Sequence, residues 1–65
     1  MRPVEGQEHL WYCAKHGMYG QLVDKQAADD AERGADRELP NGVTGVVVGT
    51  GDERQGGELL YVREA

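Results

Sequence analysis

Apolar and polar positions alternate most clearly from Gly42 to Thr50, GVTGVVVGT. Successive side chains on a strand point to opposite faces. Val46 and Val48 therefore fall with Thr44 and Thr50, and Val43 and Val47 fall with Gly45 and Gly49. A strand is predicted over 43–50. Its glycine-bearing face leaves room for an aromatic ring, Trp11 or Tyr61, to lie flat on the backbone. Gly51–Gly57, GDERQGG, reads as a hairpin loop, and Glu58–Glu64, ELLYVRE, as a returning strand over 58–63. That strand is apolar on both faces through Leu59, Leu60, Tyr61 and Val62, so it is either central or covered by another element.

A second pair of apolar runs flanks His16-Gly17 and predicts strands over 10–15 and 18–23 joined by a two-residue turn, since glycine accepts the positive φ such turns require. This register sets Trp11 opposite Leu22, Cys13 opposite Gly20, Tyr12 opposite Gln21 and Ala14 opposite Tyr19, with His9 facing Asp24 as an edge ion pair. One face then holds Trp11, Cys13, Gly20 and Leu22; the other holds Leu10, Tyr12, Ala14, Tyr19, Gln21 and Val23. The Trp11 face is expected to be the core, and the tyrosine face, with its polar tips, half-wet.

Between the hairpins the pattern changes. In Asp24–Leu39, DKQAADDAERGADREL, Ala27, Ala31, Ala35 and Leu39 recur every four residues on one thin helical stripe. Asp24 is placed to cap it, and Asp29, Asp30 and Glu32 are expected toward its positive end. Gly34 weakens it, and Pro40-Asn41-Gly42 ends it. A short helix is predicted, with a long polar loop as the alternative. Residues 1–8 read as a tail or edge strand, and 24–42 as a polar connection. The expected fold is mainly β (α+β): a single domain over 1–65, built as a small antiparallel sheet or open barrel of two hairpins with a short helix or polar loop between them.

Composition narrows the function. At 65 residues with ten Gly, no Phe and a single Cys, the chain folds with a small core and no internal disulfide. Domains of this kind lean on a metal, an oligomer or a partner. The net charge of −5 disfavours nucleic-acid binding and an anionic membrane surface. No apolar run is long enough for a signal peptide or a membrane span. The expected setting is reducing: cytoplasmic, or inside a particle built within a cell.

The chemistry-bearing residues gather in His9–Gly20, HLWYCAKHGMYG, which holds the only Trp, the only Cys and both His. Cys13-Ala14-Lys15-His16-Gly17 has the ligand-x-x-ligand-Gly spacing of half a zinc knuckle, and over roughly ten residues this stretch resembles one end of a zinc ribbon. A closed zinc site needs four ligands. No Cys or His follows His16, and His9 supplies only a third, so no resident zinc or other cofactor is expected. Should a metal bind, Cys13, His16 and His9 are its candidates. Cys–His nucleophilic catalysis is not expected either, because the short spacing does not readily align thiol and imidazole and no third group orients them. Ser is absent, which removes that nucleophile. Gly49-Thr50-Gly51 is a poor phosphate cradle with Asp52 and Glu53 beside it.

These features point away from an enzyme and toward a docking protein. Such a chain binds a larger protein or assembly, or a copy of itself, in the manner of small phage-type virion accessory or inhibitor proteins. Tyr12, Tyr19, Tyr61 and Leu60 are its candidate contacts, because one small core is not expected to bury both faces of 59–62. The alternatives are a zinc-ribbon-like module and an acidic decoy for a nucleic-acid-binding protein, the latter resting on the acidic run Asp29–Glu38.

Overall fold

The computed structural model describes residues 1–65 and shows a mainly β domain. In chain order the elements are β1 (Arg2–Pro3), β2 (Leu10–Cys13), β3 (Met18–Asp24), α1 (Lys25–Asp30), β4 (Asp36–Glu38), β5 (Thr44–Arg54) and β6 (Gly57–Glu64). The six strands form one antiparallel open sheet in the order β1-β2-β3-β6-β5-β4. The doubly apolar strand β6 is central, between β3 and β5, as its pattern implies.

The sheet is strongly curled. Arg37 Nε on β4 donates to Gln21 Oε1 on β3 at 2.9 Å. Those strands stand three places apart, which in a flat sheet is roughly 14 Å. Asn41 Nδ2, from the β4–β5 turn, likewise reaches the Tyr19 hydroxyl at 3.4 Å. The concave side encloses the core of Leu10, Tyr19, Leu39, Val47, Leu60 and Val62, with Val4, Tyr12, Val23, Ala31 and Val43 packed around it. Leu10, Leu60 and Val62 are 0% exposed. Burial of that kind stabilises by about 1.5–3 kcal/mol per side chain.

The partition of side chains between faces follows the sequence, but the inside is the other one. Trp11 pairs with Gly20, Tyr12 with Tyr19 and Cys13 with Met18. The register differs from the expected one by two residues, so each residue keeps its face. The concave face takes Leu10, Tyr12 and Tyr19. Trp11, expected in the core, is half-buried on the convex face. The shift arises because Ala14–Gly17 is a four-residue loop, with Gly17 at φ 60°, and not the tight turn expected at His16-Gly17. The strand expected over 10–15 accordingly ends at Cys13.

The second hairpin is longer and tighter than expected. Strands β5 and β6 continue through most of Gly51–Gly57 and close on Gln55-Gly56, with φ of 48° and 79°. Positive φ at both central residues is the hairpin turn whose twist matches the strands. Two irregularities, between Val47 and Gly49 and between Gly51 and Glu53, interrupt the alternation of β5. Each bulge spends one extra residue and resets which face follows. Gly49 therefore pairs with Tyr61 of the convex face, away from Val47, contrary to the unbroken alternation expected.

Helix α1 is short. The Asp24 carboxylate accepts from the Ala27 N–H at 2.7 Å, the expected cap. The helix ends at Asp30, so Asp29 and Asp30 lie at its negative end, where acids oppose the dipole. Gly34 then adopts φ 90°, and the all-charged β4, not foreseen, forms a short edge strand. Charge on a short edge discourages pairing with another chain.

Candidate functional site

Of the expected contacts, Leu60 at 0% and Tyr19 at 9% exposure are core residues, and Tyr12 packs at a tilt against Tyr19 at the core's rim with ring centroids 4.7 Å apart. Neither Leu60 nor Tyr19 is presented to a partner. Central β6 also buries its apolar run within the chain, since Leu59 on the convex side is only 1% exposed. The expectation that the 59–62 run needs an outside cover is therefore corrected. Tyr12 and Tyr61 are both half-buried, and Tyr61 alone of the four lies on the convex face.

The convex face is ordered around Trp11 and Tyr61. Across the sheet one row reads Trp11, Gly20, Tyr61, Gly49. Gly51 and Gly20 leave the backbone bare on either side of Tyr61: a Cβ at Gly51 would stand 3.2 Å from its Cε2, and one at Gly20 3.6 Å from its Cε1. The expectation of a ring on glycine backbone thus holds for Tyr61, but over Gly20 and Gly51 and not on the face of Gly45. The Tyr61 hydroxyl donates to Asp52 Oδ2 at 2.9 Å. Burial of the ring, then the Asp52 carboxylate, pushes the phenol above its ordinary pKa. The Arg54 guanidinium lies 5.5 Å from the Trp11 ring centroid, a cation–π contact that fixes the indole against the surface. Arg54 and Arg63 make no ion pair; the one salt bridge joins Lys25 Nζ to Glu53 at 3.1 Å, and the expected His9–Asp24 pair does not form. The Met1 side chain covers Gly20 while remaining 53% exposed, the only large apolar residue so open.

The Cys13–His16 pair is the second candidate. The four-residue loop brings Cys13 Sγ within 3.4 Å of His16 Nδ1, so the spacing aligns thiol and imidazole better than expected from a tight turn. The imidazole and the loop's amides draw the thiol pKa below its ordinary value. No third side chain hydrogen-bonds the imidazole, and no group of three His, Cys, Asp or Glu is placed to hold a metal ion. His9 precedes β2 while Cys13 ends it, roughly 13 Å of extended chain apart. His9 instead lines a shallow cleft of about 260 Å³ with Leu22, Val23, Asp24 and the Gln55–Gly57 turn.

Two members of the convex site escape sequence reasoning. Arg54 meets Trp11 only because β5 continues through its bulges to the tight turn. Met1 reaches Gly20 only because β1 pairs with β2. Neither has a local signal. Comparison of the chain with protein-family models, with curated proteins and with solved structures gave no match.

Proposed function

We propose that this chain is a non-enzymatic docking protein that binds a larger protein through the convex face centred on Trp11 and Tyr61. The observation that carries this reading is the placement of the only Trp, half-exposed and braced by an otherwise unpaired Arg54, on the side away from the core. Trp, Tyr and Arg are the residues in which interface energy concentrates, and a braced ring loses less entropy on binding than a free one. The shape favours a larger partner over a second copy. Two convex faces meet only along a crest, whereas a stable interface takes about 800 Å² from each partner. On a molecule of 25 × 25 × 20 Å that area requires a partner that wraps the face. The partner's matching surface is a concave apolar groove with carboxylates near Arg54 and Arg63.

Affinity capture from the native source tests this, using the native chain, Trp11→Ala, Tyr61→Ala and, as control, Asp30→Asn at the exposed end of α1. A discrete protein retained by the native chain and the control, but lost with both aromatic variants while their circular dichroism stays native, is expected. Retention unaffected by either aromatic variant overturns the reading.

A further inference from the structure

We infer that the bare backbone at Gly20, between Trp11 and Tyr61, is a recognition slot for one unbranched apolar side chain of methionine type, and that Met1 occupies it in the free chain. This rests on the docking reading and names what the partner inserts.

The slot is a consequence of register. Gly20 pairs with Trp11 on one side and Tyr61 on the other, so two aromatic residues stand on the strands flanking β3 with no side chain between them. Strand spacing sets them roughly 9–10 Å apart at the backbone, room for a single slim side chain lying on the glycine. Met1 does this: its Cε lies 3.0 Å and its Sδ 3.4 Å from where a Gly20 Cβ would stand, with Tyr61 Cε1 at 3.6 Å from the same point. A thioether beside an aromatic ring edge is a favourable contact, and an unbranched chain fits where a β-branched one would meet the strand. The occupant is weakly held. Met1 stays 53% exposed, and the strap behind it is the two-residue β1, in which Pro3 has no N–H to donate. A partner's side chain therefore displaces Met1 by offering the same contact with a more rigid backbone behind it.

The test titrates ¹⁵N-labelled protein with the blocked tripeptide Ac-Gly-Met-Gly-NH₂, with Ac-Gly-Val-Gly-NH₂ as the branched control. The Gly20 amide and the Trp11 indole N–H are followed. Native chain is compared with Met1→Ala released from an N-terminal fusion. Because an internal occupant lowers apparent affinity by the fraction of time the slot is open, Met1→Ala is expected to bind the methionine peptide about three- to tenfold more tightly. The valine peptide is expected to bind less well. Adding Gly20→Val to Met1→Ala fills the slot and is expected to abolish the shifts. If that variant fails to fold, the comparison of native with Met1→Ala decides. Equal affinity in those two proteins, or no saturating shift in Met1→Ala, overturns the slot. The outcomes separate from the docking reading. Partner capture that depends on Trp11 without peptide binding removes the slot alone, and peptide binding without Trp11-dependent capture removes the docking reading alone.

Discussion

Alanine at Gly45 and at Gly20 should have opposite consequences, although both lie within strands and neither has a positive φ. At Gly45 a Cβ meets the Arg63 carbonyl oxygen at clash distance and Val62 Cγ1 at 2.6 Å. Both belong to central β6, which cannot retreat without loosening its ladders to β3 and β5. Overpacking of this kind costs about 1–3 kcal/mol, and the rigid backbone places Gly45 at the upper end. The smaller unfolded-state entropy of alanine returns about 0.4–1 kcal/mol, leaving a net loss of about 2 kcal/mol. At Gly20 the nearest atom is the mobile tip of Met1, so the clash is relieved by a rotamer change and the entropic gain remains, between about 0 and 1 kcal/mol. A domain of 65 residues has a total stability of about 3–10 kcal/mol. At about 4–8 °C per kcal/mol, Gly45→Ala should lower the melting temperature by about 8–16 °C. Thermal and urea unfolding by far-ultraviolet circular dichroism, with Trp11 fluorescence as second probe, measures both variants. A Gly45→Ala midpoint within about 2 °C of the parent, or a larger loss at Gly20 than at Gly45, would refute the packing assigned to the two faces.

Leu60→Ala empties a fully buried position and should cost about 2–5 kcal/mol, a large share of the total, read as an unfolded fraction in urea titrations without denaturant extrapolation. The Cys13 thiol should ionise below the ordinary thiol range in a pH-dependent alkylation assay, and His16→Ala should return it upward. Tyr12, chiefly through its hydrogen bond with Glu64, and Tyr61, chiefly through burial, hold their phenols above the ordinary value. A raised folded pKa stabilises fully below the unfolded value, about 10, and that contribution is lost as pH rises through the folded values. Urea midpoints should therefore fall above about pH 10, and Tyr61→Phe should flatten the fall.

The sequence carried the strands and the division of side chains between faces, because both depend on local alternation that a two-residue register shift leaves intact. Trp11 stays with Leu22 whether it pairs with Leu22 or with Gly20. Turn lengths were less legible. A glycine at Gly17 supports both a two-residue and a four-residue loop, and the choice is made by how β3 meets β6. The bulges of β5 were invisible for a similar reason: Gly49 and Gly51 permit them, but the long-range pairing with Tyr61 and Leu59 requires them. Edge strand β4 had no apolar signal at all, since its three residues are all charged. At the candidate site, Trp11 and Tyr61 stand out by residue type alone. Arg54 and Met1 do not, because only the completed sheet brings them there.

Which face becomes the inside was the least legible feature, and the reason is geometric. Taken hairpin by hairpin, the largest side chain marks the core, which favours the Trp11 face. Once six strands curl into one sheet, the concave side must hold the cores of both hairpins in a small space. The side chains there are mixed in size: Leu10 from β2, Tyr19 from β3, Val47 from β5, and Leu60 and Val62 from β6, closed by Leu39. That side is closed by β4 and its turn, where Arg37 bonds Gln21 at 2.9 Å and Asn41 reaches the Tyr19 hydroxyl at 3.4 Å. On the convex side two long side chains, Arg54 of β5 and Trp11 of β2, meet across the sheet at 5.5 Å. Leu59 at 1% exposure shows that this outer layer does bury apolar surface, with Leu22 and Gly51 as its cross-strand neighbours. Closure by β4 and its turn, and not side-chain size, therefore decides the inside: Tyr12 and Tyr19 lie on it, Trp11 and Tyr61 on the other face. The same closure that puts Tyr19 inside leaves Trp11 and Tyr61 half-buried on the opposite face, the face proposed to dock.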